Sequence, residues 1–240
     1  MVGRAERGIA VAADIATARV RSLVLEACPD ADIVINNPGG QPLGDFRNWN
    51  REDWRRAVDA NMLTPISLIK SVIDGMIERR FGRIINITTA GVKSPGTYPR
   101  LGLSIAARSG LTGFIGTLAR QVAHANVTIN GLLPSRFDTG RLRSLTRAQA
   151  LSESRSQEDI AAEQLEHIPS RRLGCAEEFG ALCAFLCSVH ASYILAFGLL
   201  NAPARIGCDR KWKRNSALDL ILPAARSCEP PSRMGHRCRN

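Results

Sequence analysis

No apolar run in this 240-residue chain reaches the roughly 18 residues that a membrane-spanning helix needs. The N-terminus lacks the basic, apolar and small-residue order of a secretory leader. Both absences imply a soluble, cytoplasmic protein without a membrane partner. Aromatic residues make up only 5%. Lysine is scarce as well: 4 of the 32 basic residues are Lys and 28 are Arg, a skew read as coding bias. The seven cysteines form an odd number with no leader, which argues against a disulfide framework. No second Cys pair or matched His stands at zinc-site spacing from Cys183 and Cys187, so these two read as small core side chains and no metal is expected. His124, His167 and His190 are scattered and read as solvent-side or capping residues.

What is present suits one globular domain with a tail. Hydrophobic residues account for 45% and charged residues for 22%, a balance that excludes disorder. The net charge of +10 is uneven. Residues 196–240 carry 9 basic and 3 acidic side chains, whereas the first 195 positions carry a surplus of only +4. The expected organisation is a domain over residues 1–195 and a basic, poorly ordered tail over 196–240. The tail has no nucleic-acid-binding motif, so nucleic acid is not the expected partner.

Hydrophobic patterning alternates between two periods. Residues 8–14 (GIAVAAD), 32–36 (DIVIN), 83–87 (RIINI) and 127–133 (VTINGLL) are short Val/Ile-rich runs that read as buried strands, with one more near 194–200. Between them lie helical stripes. One runs through Trp54, Val58, Met62, Ile66, Ile69, Ile73 and Met76, a second through Leu111, Ile115, Leu118 and Val122, and a third through Phe179, Leu182, Leu186 and Val189. Asn50 and Asp53 fit a helix N-terminus, and Trp49 and Trp54 read as cover for the sheet edge. Alternating strands and helices with continuously apolar strands imply an α/β fold, a doubly wound parallel sheet covered on both faces. Ligands in such sheets bind beyond the carboxyl ends of the strands. Those ends carry Asp14-Ile15, NNPGG at residues 36–40, Thr88-Thr89 and PSRFDT at residues 134–139.

Taken in order, these strand-end strings resemble the short-chain dehydrogenase/reductase family, most closely its 3-oxoacyl-acyl-carrier-protein reductase type, over roughly residues 8–194. NNPGG is similar to the family's NNAG, which places Asn37, Pro38 and Gly39 beside the cofactor. Asp14-Ile15 resembles the Asp-apolar pair that contacts adenine. Asn61, in DANM, stands at the catalytic Asn. RIINITT resembles the strand that ends in the catalytic Ser, with Thr89 the best match and Thr88 next. TINGLLPSRFDT resembles the segment that holds the nicotinamide carboxamide, with Pro134, Phe137 and Thr139 as contact residues. The resemblance implies a Rossmann-like fold, NAD(P) as cofactor and interconversion of a carbonyl and a hydroxyl on a small-molecule or acyl-thioester substrate. It further implies fatty acid metabolism and a homodimer or tetramer built on helices near 51–80 and 104–124.

The sequence departs from that pattern at identifiable places. The family opens with T-G-x-x-x-G-x-G before the pyrophosphate-binding helix; here the chain starts at what would be the third strand, incomplete at the N-terminus, and only Gly3 and Gly8 come early. The family's Y-x-x-x-K falls on Ser104 and Arg108 in LSIAARSGLTGF. A Ser hydroxyl is a far weaker acid than a phenol, and Arg keeps its proton permanently. Tyr98 stands in the loop ahead of this helix. After Ile194 the family strand is replaced by divergent sequence, as an altered gene end would give. The candidate catalytic set is Asn61, Thr89, Ser104 and Arg108, with NAD(P) binding expected to be weakened or lost. Two readings stay open: an NAD(P)-dependent oxidoreductase, and a catalytically silent relative or non-enzymatic oligomer subunit.

Overall fold

The computed structural model describes residues 10–98 and 100–195, together with the backbone of residues 198–201. Its chain divides into residues 1–204 and residues 205–240, the second lying outside the described residues.

Four strands, β1 (Ile33–Asn36), β2 (Gly82–Ile87), β3 (Val127–Pro134) and β4 (Gly198–Asn201), pair in parallel in the order β1-β2-β3-β4. Ile35 stands opposite Ile85, Asn86 opposite Gly131, and Leu132 opposite Leu199. The helices are α1 (Ala18–Ala27), α2 (Arg51–Val58), α3 (Thr64–Glu78), α4 (Gly102–Val122), α5 (Gly140–Glu153), α6 (Gln157–Glu166) and α7 (Ala176–Cys187). The two-residue period of the strands divides their side chains between two cores. Ile84, Val127 and Ile129 face α3 and α4, meeting Ile69, Val72, Met76, Leu111 and Ile115. Ile85 and Leu132 face the other way, against Cys183 and Leu186 of α7. The expected helix-clad parallel sheet is what the chain forms.

The long helix expected at 51–80 starts where Asn50 and Asp53 form a reciprocal cap. The Asn50 Oδ1 accepts from Glu52 N at 2.8 Å and Asp53 N at 3.0 Å, and Asp53 Oδ2 accepts from Asn50 N at 2.9 Å. It runs to Glu78 through one π-helical segment, Asp59–Leu63, which places Asn61 on the buried side. Such a bulge re-aims a side chain without ending the helix.

Three expectations change. Residues 10–14 form no strand, and residues 8 and 9 lie outside the described residues. An apolar run becomes a strand only where a neighbouring ladder satisfies its backbone. Here Val11 is exposed, and Asp14 closes a turn ahead of α1 through its side chain on Ala16 N (2.9 Å) and its carbonyl on Thr17 N (3.1 Å). Val189 falls in a short turn after α7 and is exposed, so the third helical stripe stops at Cys187. The tryptophans do not cover the sheet edge. Trp49 lies against Gly44 and Gly102, where an added Cβ would come within 2.6 Å and 2.9 Å of its ring, and Trp54 meets it edge-on at 5.8 Å. Together they brace the loop after β1 against the start of α4.

Candidate active site

The site is built where the carboxyl ends of β1, β2 and β3 open beside the first turns of α4. Asn36 and Asn86 face each other across β1 and β2, and the Asn36 Nδ2 donates to Asn86 Oδ1 at 2.9 Å. This bond fixes the spacing from which both loops depart. On the β1 side the chain continues through Asn37, Pro38 and Gly39. On the β2 side it enters Thr88 and Thr89. Thr89 Oγ1 accepts from Gly91 N at 3.3 Å and caps the short turn Ala90–Val92. Gly91 is required by close approach, since a Cβ there would fall 2.8 Å from Ile105 of α4. The Tyr98 ring flanks the same glycine.

Ser104 and Arg108 are one helical turn apart on α4, and both are buried. The Arg108 Nη1 donates to Ser104 Oγ in a short contact. Its Nη2 donates to the carbonyls of Pro38 at 3.1 Å and Gly39 at 3.4 Å. The guanidinium thus ties the β1 loop to α4. Burial, and secondarily the charge of Arg141, lowers the Arg108 pKa to about 10. It remains a cation at neutral pH.

Asn61 is fully buried in the π segment, which packs against α4. Its Nδ2 donates to Ala57 O at 3.2 Å, while its Oδ1 has no partner among the described residues. The Thr88 Oγ1 and the Arg108 Nε are likewise buried and unpartnered. Buried polar atoms without partners are uncommon and point to a solvent or ligand atom that completes them. The π segment with Asn61 and the short turn after Thr89 both pack against α4, which carries Ser104 and Arg108.

The remaining candidates divide. Pro38 and Gly39 join the cluster through their carbonyls, whereas the Asn37 side chain is exposed. Pro134 ends β3, and Thr139 caps α5 by accepting from Leu142 N at 3.2 Å. Phe137 is half-buried, packs edge-on against Phe179 of α7 at 5.3 Å and bridges to Gly174. The hydrogen bonds of Asp14 and Ile15 are local to the turn before α1 and reach neither loop. Sequence reasoning missed Arg141, whose guanidinium covers Gly40 and bonds Gln41 O. Nothing in an arginine-rich helix start marks it. His124 and His167 turn a ring nitrogen to carbonyls of their own helices, as capping residues do. Cys183 and Cys187 contact each other on α7; hydrogen bonding from Cys187 draws the Cys183 thiol down to about 7 and pushes that of Cys187 up. No group of three potential metal ligands occurs among the described residues. No described helix is long and apolar enough to cross a membrane.

Comparison with known proteins places these loops in a wider set. The family described as Enoyl-(Acyl carrier protein) reductase matches residues 7–197. The acetoacetyl-CoA reductase of Cupriavidus necator is 32% identical over 164 residues, covering 68% of this chain and 61% of that protein. The 3-oxoacyl-[acyl-carrier-protein] reductase FabG of Salmonella typhimurium is 32% identical over 167 residues, covering 69% and 62%. This chain thus spans less than two thirds of the length of either relative. Among solved structures, YwfH, an NADPH dependent reductase involved in bacilysin biosynthesis, aligns with a TM-score of 0.74 at 28% identity, covering 81% of this chain and 76% of that one.

Proposed function

The chain belongs to the short-chain dehydrogenase/reductase family, and on that premise we propose that its site is of the NAD(P)-dependent, 3-oxoacyl-thioester reductase type, with cofactor binding and turnover crippled in the 240-residue chain. The observation that carries this reading is the buried Ser104–Arg108 pair, bonded to the loop after β1 and carried on the helix against which the Asn61 segment packs.

The residues present fit one end of a nicotinamide dinucleotide. Arg108 Nε, Asn61 Oδ1 and Thr88 Oγ1 are buried without a partner among the described residues, and a Cβ at Gly39 would meet nothing within 4 Å, so the loop leaves room for a ligand. Pro38, Gly39, Arg108, Pro134 and Thr139 would line that end. When bound, the cofactor supplies the hydride. The phosphate end fits poorly, because none of the chain's 20 glycines stands in G-x-x-x-G-x-G spacing.

The chain's own residues then set the chemistry. Thr88 and Thr89 offer hydroxyls to orient a carbonyl. Ser104 stands where proton delivery is needed, but its hydroxyl already accepts from Arg108 and is too weak an acid to protonate a developing alkoxide efficiently. Arg108 holds its proton up to about pH 10 and serves as a fixed positive charge rather than as a donor. The loss of a positioned general acid costs about 100-fold or more in rate.

Titrating the 240-residue chain with NADPH, followed by nucleotide fluorescence, and assaying acetoacetyl-CoA reduction tests this. Weak binding and turnover at least about 100-fold below an ordinary ~10 per second are expected. Ser104→Tyr with Arg108→Lys should not restore activity alone, since the phosphate end is unchanged. Ordinary turnover by the unmodified chain would overturn the reading and make Tyr98 the first proton donor to test.

The same reading places the protein in the cytoplasm and pairs α3 and α4 with those of a second copy. Its support is α4, where a Cβ at Gly113 or Gly116 would meet nothing within 4 Å, and the 44% exposure of Leu63 at the start of α3. This face is what a silent oligomer subunit would keep. Sedimentation at micromolar concentration should show a dimer whether or not NADPH binds, and a monomer would refute the pairing.

A further inference from the structure

Arg108 and Arg141 approach the loop after β1 from different elements. Arg108 reaches Pro38 O and Gly39 O from the middle of α4. Arg141, in the first turn of α5, lies flat on Gly40, where a Cβ would fall 2.6 Å from its Nε and 2.8 Å from its Cζ, and it bonds Gln41 O. The two charges are near enough that Arg141 depresses the proton affinity of Arg108, after the larger effect of burial. Among the described residues neither guanidinium holds a carboxylate, and the partners of the pair are neutral: one hydroxyl and three carbonyls. Elsewhere on the chain Arg79, Arg155 and Arg172 each hold an acid, and the nearby Asp138 is held by Arg143.

Two like charges around one loop, one of them buried, are costly unless an anion joins them. The Arg108 Nε is buried with no partner, a donor still waiting for an acceptor. The open space at Gly39 gives an anion a place to sit. Guanidinium forks match the oxygens of phosphate, with which they form short, charge-assisted bonds.

We infer that Arg108 and Arg141 form a phosphate-binding site over the Pro38–Gln41 loop. The site recognises a phosphate group, whether free or carried by a dinucleotide or by a phosphopantetheine thioester. It shares Arg108 and the space at Gly39 with the cofactor end proposed above, but inorganic phosphate probes it without cofactor or turnover, so the two readings can fail separately.

The test is thermal unfolding of the full 240-residue chain in sodium phosphate against sodium chloride at matched ionic strength. Phosphate should raise Tm beyond chloride in a saturable manner, as a ligand that binds only the folded state does. Arg141→Met should weaken the half-saturating concentration by about tenfold, the loss of one charge-assisted contact. Arg120→Met, an exposed position at the end of α4, should leave it unchanged. Arg141 is the better variant because Arg108 also holds the loop to α4, and its removal risks the fold itself. Competition then identifies the carrier. If NADP+ removes the phosphate effect, a dinucleotide phosphate is the ligand. If coenzyme A removes it, the ligand is a thioester carrier. If neither competes, free phosphate is the ligand. A Tm no higher in phosphate than in matched chloride overturns the site, and so does an Arg141→Met response equal to that of the unmodified chain.

Discussion

Replacing Asn61 with Ala removes a buried amide whose Nδ2 bonds Ala57 O at 3.2 Å and whose Oδ1 bonds nothing among the described residues. A side chain kept for stability should cost the fold something when it is lost. The unpartnered acceptor, however, costs about 1–3 kcal/mol in the native state, and Ala relieves that cost. Ala is also a better helix former than Asn by about 0.5 kcal/mol. Against these gains stand one net hydrogen bond of about 0.5–1.5 kcal/mol and a small cavity, of order 1 kcal/mol. The balance runs from a loss of about 1 to a gain of about 2 kcal/mol, or a Tm shift of a few degrees at about 2–4 °C per kcal/mol for a chain of this size. Urea and thermal unfolding of both chains, followed by helical circular dichroism, measure it. A loss of more than about 2 kcal/mol would refute the reasoning, because the Oδ1 would then have a structural partner worth that much. An unchanged or raised stability fits a residue placed for chemistry, of the kind that sites retain at some expense to the fold.

Two other perturbations follow from the same geometry. Gly82 is buried in β2, and a Cβ there would fall 2.6 Å from Met76 Sδ and 2.8 Å from Met76 Cβ. The second atom cannot swing away, so Gly82→Ala should destabilise by about 1–3 kcal/mol in urea unfolding, and an unchanged midpoint would refute the contact. The Glu178 carboxyl is held near 2 rather than 4.5 by Arg172 first and by the Cys175 N–H second. Because its folded value is depressed, its contribution is present above pH 4.5 and is lost as pH falls towards 2. A carbon-13 titration should place the Glu178 midpoint near 2, and Arg172→Ala should move it towards 4.5; a midpoint already at 4.5 in the unmodified chain would refute the pairing.

The amino-acid sequence by itself determined the layered architecture. Ile84 and Ile85 must face opposite sides of β2, the stripe from Ile69 to Met76 must cover one of them, and Asn50 with Asp53 must start the helix that carries it. These are local consequences of period, propensity and capping, legible wherever a residue's neighbours in sequence are also its neighbours in space. The resemblance of the ordered motifs singled out Asn61, Thr89, Ser104 and Arg108, but only Thr89 follows a strand end; Asn61 lies in the π segment, and Ser104 and Arg108 lie on α4. Tertiary structure alone decided the rest. Residues 10–14 have the composition of a strand but pair with none of the described strands. Asn61 turns inward through a π segment that nothing in DANM announces. Arg141 meets the β1 loop across 100 positions of sequence, and whether a guanidinium sits beside an acid or beside a second guanidinium depends on which loops the sheet brings together. Electrostatic neighbours are set by distance in space, and over such separations the sequence encodes that distance only through the completed fold.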